Sequence, residues 1–165
     1  MNLTLEVEDQ LPEVFITGLR SSHPFHELVY HINNISKVNL VKERNLLNIK
    51  RKKQQASFNW FTLCNEDDTQ PFLHLIGNSA HYIKEKNAEM NLFGLENTLE
   101  ERMILLPSMQ KFDFWFLHPK PQLHYIELSP LLKYRFIEAH QCRSITSFKK
   151  PEQLLIENIY YEKQN

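Results

Sequence analysis

The chain has 165 residues, 42% hydrophobic and 24% charged, with a net charge of −1. That length lets one domain bury a core of its own without disulfide or metal staples, and the near-zero charge offers no global attraction to polyanions or acidic membranes. The three glycines, Gly18, Gly77 and Gly94, have no phosphate-cradling spacing, which excludes nucleotide binding through a P-loop or a dinucleotide fingerprint.

At the amino terminus Leu3, Leu5 and Val7 alternate with polar residues, the period of a strand with one wet face. Those residues lack the cationic start and apolar core of a signal peptide, and no run approaches the apolar length that spans a bilayer. Pro12 breaks the chain, and residues 14–19 read as a second, more buried strand. Ser21, Ser22 and Pro24 then open a helix, a serine cap followed by a residue whose fixed φ suits the first turn. Its apolar stripe is Phe25, Leu28, Val29, Ile32 and Ile35.

Residues 45–49 read as a strand, followed by a basic tip and a second strand over 57–64 carrying Phe58, Trp60, Phe61 and Leu63. A third strand is expected over 72–76, and the short connections favour antiparallel pairing. From 78 to 97 the pattern turns polar around Leu92, Phe93 and Leu95, which suggests a long loop. Strands over 103–106 and 112–117 then form a pair, joined through Pro107 to Lys111. A second helix runs from Ser129-Pro130 to about Ala139, a last strand covers 142–148, and a short helix starts at Pro151.

These elements make one α+β domain over residues 1–160, with 161–165 as a frayed tail. The expected architecture is a single mainly antiparallel sheet with helices packed on one face. Its C-terminal part, strand 112–117, helix 130–139 and strand 142–148, suits a β-α-β unit of ferredoxin-like type.

The one concentrated charge feature is Lys50, Arg51, Lys52 and Lys53, with Lys42 and Arg44 nearby and the rings of Phe58, Trp60 and Phe61 following. Cations for phosphates beside rings for base stacking would suit single-stranded nucleic acid. The same residues also describe a solvated hairpin tip guarded against edge pairing by its lysines. Among the eight histidines, His23, His26, His31, His74 and His81 show no H-E-x-x-H pair or Cys–His set, so no metal ligand and no cofactor is assigned. Cys64 and Cys142 fall in expected strands and read as inert, buried thiols of a reduced cytoplasm rather than a disulfide framework. No motif presents a nucleophile, and no catalytic residue is assigned.

Asp113 interrupts Phe112, Phe114, Trp115 and Phe116. Strand alternation places it with Trp115 and Leu117, opposite Phe112, Phe114 and Phe116. A carboxylate there needs a partner: it either pins the 107–111 connection through backbone amides or forms the acid of a small-ligand pocket.

The stretch around it, with Leu106, Pro107, Phe112, Asp113 and Phe114, resembles the signature of the IPExxxVDY family, with Ser108 standing in place of the signature Glu. The order of elements over roughly 3–157 is compatible with that likeness, including Gly18 shortly before the first helix. The resemblance implies a small bacterial protein with no assigned reaction, and it transfers no catalytic residue. With eleven Phe, six Tyr and two Trp, the expectation is a cytoplasmic, non-enzymatic protein-interaction module. Its partner would be an unidentified protein or a second copy, met through an exposed strand or the 92–95 patch. The alternatives are an RNA-binding module using the basic 42–53 segment and a small-ligand pocket around Asp113.

Overall fold

The structure, a computed structural model, describes residues 11–64, 71–84 and 99–162. In chain order the elements are β1 (Phe15–Arg20), α1 (Phe25–Ser36), β2 (Val41–Lys42), β3 (Leu47–Arg51), β4 (Gln54–Phe58), β5 (Trp60–Cys64), β6 (Pro71–Gly77), β7 (Ser79–Lys84), β8 (Leu99–Ile104), β9 (Phe114–His118), α2 (Leu128–Lys133), β10 (Ala139–Ser144) and α3 (Lys150–Glu162). Single 3-10 turns lie at Pro107–Met109 and Ile145–Ser147. The strand expected over residues 3–7 and the 92–95 patch lie outside the described residues.

A six-stranded antiparallel sheet in the order β10-β1-β9-β6-β5-β2 forms the centre, and two hairpins, β3/β4 and β7/β8, stand apart from it. The protein is thus α+β with a large, mainly antiparallel sheet. β9 explains why the sheet has two cores. Phe114 and Phe116 pack with Leu19, Leu75, Leu28, Val29, Ile32 and Leu131, beneath α1 and α2. Trp115 and Leu117 face the other way, into Ile16, Trp60, Ile76, Ile156 and Ile159, beneath α3 and the hairpins. Rings buried on both faces of one strand contribute about 2–3 kcal/mol each by area, which makes β9 the strand the fold is built around. No described helix is long and apolar enough to cross a membrane.

Helices therefore cover both faces, not one, because α3 presents Ile156 and Ile159 to the face opposite α1 and α2. The expected long strand over 57–64 is two strands, which pass from the β3/β4 hairpin into the main sheet at Asn59. Residues 79–84, expected within a loop, form β7, and it is β7 rather than β9 that pairs with β8, from Ser79↔Ile104 to Lys84↔Leu99. The last strand begins at Ala139 and ends at Ser144, not at 142–148, since Ile145 to Ser147 turn away to bury Ile145. α2 is shorter than expected because Arg135, at φ 59°, leaves the right-handed helical region. The final helix runs through residues 161 and 162, which were expected to fray.

Gly18 lies opposite Trp115 in the β1–β9 ladder, under the loop after the Pro107–Met109 turn. A Cβ built there meets Met109 Cε at 2.6 Å and Phe112 Cγ at 2.7 Å, so the residue is glycine for close approach. Asn78 closes the same layer. Its Nδ2 donates to the carbonyls of Met109 (3.0 Å) and Phe112 (3.1 Å), and its Oδ1 accepts the Leu106 N–H at 2.9 Å.

Candidate functional site

Asp113 sits at the bend just before β9 and ties three segments together. Its N–H donates to the Leu19 carbonyl, its own carbonyl accepts the Asn78 N–H, and its Oδ2 accepts the Ser21 N–H, all at 2.9 Å. The bend breaks the expected alternation: Phe112 packs in the core of Trp115 and Leu117, not with Phe114 and Phe116. The carboxylate thus secures the strap between β1 and α1. The 107–111 connection is held instead by Asn78 and by Glu152, whose carboxylate accepts the Ser108 N–H and hydroxyl.

Ser21 continues the strap. Its hydroxyl donates to the Phe136 carbonyl at 2.6 Å and accepts the His23 N–H at 3.2 Å. This anchoring sets the His23 ring edge-on to His31 (5.6 Å) and to Phe136 (5.7 Å). His31 stacks on Phe136 with centroids 3.7 Å apart and planes 13° from parallel. Tyr30 and Tyr134 flank that stack and stand 63% and 61% exposed. The result is a ledge of rings built from α1 and from the turn after α2.

Beside the ledge lies an open cleft of 380 Å³, with Ser21, His23, Asn59, Ser79, His81 and Asp113 among its walls. His23 belongs to both surfaces. Asp113 Oδ1 has no protein partner among the described residues, so the cleft offers a carboxylate oxygen to a donor-bearing group, while His23 Nδ1 lies 3.5 Å from Glu27 Oε2. Two of the cleft's serines are already engaged. The Ser21 hydroxyl is committed to a carbonyl and that of Ser57 donates to Asn48 Oδ1 at 2.5 Å, which leaves Ser79 as the remaining serine of the wall. Among the described residues no three His, Cys, Asp or Glu side chains are grouped to hold a metal ion.

A smaller groove surrounds His118 on β9, with Phe72, Lys120, His124 and Tyr125 in its wall. His118 Nδ1 lies 2.7 Å from the Lys120 carbonyl, which only accepts, so Nδ1 carries the proton and Nε2 accepts from the Thr17 hydroxyl at 2.8 Å. Burial pushes this imidazole below the usual histidine range; the Lys120 carbonyl works against that shift and the neighbouring His124 adds to it.

The basic segment does not form a cation–ring platform. Lys50, Lys52 and Lys53 are exposed, but Arg51 turns inward and donates to the carbonyls of Ile104, at 2.6 Å, and Leu105. Phe58 and Trp60 are core residues at 1% and 4% exposure, the Trp60 indole donating to the Asn45 carbonyl at 2.7 Å. Phe61 contributes to the opposite core, beneath α1. Bases have no ring to stack on there. Cys64 and Cys142, expected to be buried, are both exposed free thiols. Beyond the adjacent Tyr30-His31, nothing in the sequence signals the ledge, because Phe136 lies more than a hundred residues away.

Compared with protein-family models, curated proteins and solved structures, the chain matches none.

Proposed function

We propose that the protein is a non-enzymatic interaction module whose docking surface is the ring ledge of Tyr30, His31, Tyr134 and Phe136 beside the Asp113 cleft. The observation that supports it is the exposure of two tyrosines flanking a partly buried stack, His31 on Phe136. Interface centres favour such rings, which bring large area at little cost in side-chain freedom. The cleft adds a polar socket suited to a partner's lysine, arginine or amide.

A photo-crosslinking aromatic residue placed at position 30 or 134 tests this in intact cells, with position 154 on the exposed side of α3 as control. The reading expects discrete heavier species from 30 and 134 that vanish in the Phe136→Ala background. No adduct from either position, or an identical pattern from 154, would remove it.

We further infer a ferredoxin-like core of β1, α1, β6, β9, α2 and β10. In its support, β9 and β10 flank β1 and both run antiparallel to it, so they are parallel to each other with α2 in the crossover. α1 and α2 also share one core. Membership of the IPExxxVDY family and a cytoplasmic location stay part of this reading, supported by the 106–114 stretch and by the free thiols, which suit a reducing compartment.

A further inference from the structure

β10 ends the main sheet, and among the described residues no strand pairs with its outer side. Natural edges carry protection: a projecting lysine, a proline, a bulge or a very short strand. The opposite edge follows that rule, since β2 is two residues long. β10 does not. It has six residues in unbroken register with β1, from Phe15↔Ser144 to Arg20↔Ala139, and contains no proline or lysine. Its one arginine is folded back. The Arg143 guanidinium lies 4.2 Å from the Phe148 ring centroid and donates to the Ser147 carbonyl at 2.8 Å.

The ladder fixes which backbone groups face outward. Ile145 N–H donates to Val14 and Glu138 N–H to Arg20, so even-numbered residues of β1 bond toward β10. In an antiparallel pair the bonded and non-bonded positions alternate. Ala139, Gln141 and Arg143 therefore bond to β1, while His140, Cys142 and Ser144 point their N–H and C=O away from the sheet. The Ser144 carbonyl already accepts the Ser147 hydroxyl at 2.7 Å, and its second lone pair is left for another donor.

We propose that β10 is a homodimerisation edge, pairing antiparallel with β10 of a second copy about a two-fold axis at Cys142. In that register the outward residues meet one another, Cys142 with Cys142 and His140 with Ser144, and the sheet becomes continuous across both copies. On the other face Gln141 meets Arg143. No like charges fall opposite, so the edge is complementary to itself, and an isologous contact closes after two copies. Six residues of strand bury less than the roughly 1,200 Å² of a standard interface, so the dimer is weak and concentration-dependent. It uses backbone groups rather than the ring ledge, and either can fail without the other.

Sedimentation velocity of the full chain over about a hundred-fold concentration range reads the association directly. The expected result is a monomer–dimer equilibrium. His140→Pro removes an outward N–H and leaves the β1 ladder whole, because proline is tolerated at such positions; it should raise the dissociation constant by about tenfold or more. Cys142→Lys leaves the backbone untouched, places two ammonium groups face to face, and should abolish the dimer even if the proline variant folds poorly. Under diamide, which takes up the two protons and two electrons released, the wild type should cross-link through Cys142 and not Cys64. Paired Cα atoms near 5.5 Å lie within disulfide reach. A monomer at every concentration, a dimer indifferent to Cys142→Lys, or a dimer whose Cys142 does not cross-link would overturn the proposal.

Discussion

Glu152 holds Ser108 at two points: Oε1 accepts the main-chain N–H at 2.7 Å and Oε2 accepts the hydroxyl at 2.5 Å. Ser108 lies in the first turn of a 3-10 segment, where an amide has no partner within the turn, so the first residues of α3 cap an element more than forty positions earlier. Glu152 is 6% exposed, and its carboxylate is stabilised there by these bonds.

Glu152→Ala should therefore cost about 2–3 kcal/mol in urea unfolding, the range for hydrogen bonds to a charged group. Ser108→Glu, which restores the acid of the family-like signature, sets a second carboxyl against Glu152 and should destabilise the fold. Adding Glu152→Lys should recover most of that loss; a double mutant as unstable as the sum of its parts would show that the two positions do not interact.

Asn78 is a second point of convergence, satisfying two carbonyls and one amide from the 106–112 segment while 1% exposed. Asn78→Ala strips the Leu106 N–H and the Phe112 carbonyl of their partner and leaves the Met109 carbonyl only the Phe112 N–H, and should cost roughly 3 kcal/mol. Asn78→Asp keeps the shape but turns an acceptor toward two carbonyls, so it should be the worse of the two. Amide exchange at Leu106 should accelerate more in Asn78→Ala, which removes its acceptor, than in Asn78→Asp, which keeps an oxygen there.

At Gly18 the added methyl of Gly18→Ala meets the base of the Phe112 ring, which cannot swing aside, and the tip of Met109, which can. The expected loss is about 1–3 kcal/mol. A cycle with Phe112→Leu should show favourable coupling, whereas one with Met109→Leu should not. Equal coupling in both would relocate the clash.

Much of the fold was legible, and the exceptions have physical causes. The stripe of Phe25, Leu28, Val29, Ile32 and Ile35 gave α1, and the apolar run of β1 gave its strand, because both bury a periodic face. β10 carries no such period. An edge strand is held by its ladder to β1, so residues 139–144 look polar, while the apolar Ile145 and Phe148 that drew the expected strand downstream belong to a turn. The mistaken pairing of 103–106 with 112–117 came from a short connection that suits a hairpin. Asn78 diverts that connection into a 3-10 turn, and a lone asparagine has no pattern to read. At the site, Asp113 was visible as an anomaly. Its partner Ser21 was not, since contacts between distant segments leave no spacing in the sequence.

The last prediction concerns pH. His118 is 3% exposed and bonded through both nitrogens as the neutral tautomer, and burial holds its pKa below the ordinary 6.5. Protonation would place a charge among Thr17, Lys120 and His124, none of them an anion. The unfolded chain takes up this proton at about 6.5, the native state only at lower pH, so between those values the unfolded state binds more protons. Its contribution to stability is thus fully present above about 6.5 and is lost as pH falls toward the depressed native value. Thermal unfolding of the wild type should fall more between pH 7.5 and 5.5 than that of His118→Gln, which accepts and donates at similar positions without titrating. Parallel pH profiles for the two proteins would mean that His118 is charged without penalty and that the Lys120 carbonyl, not burial, dominates its surroundings.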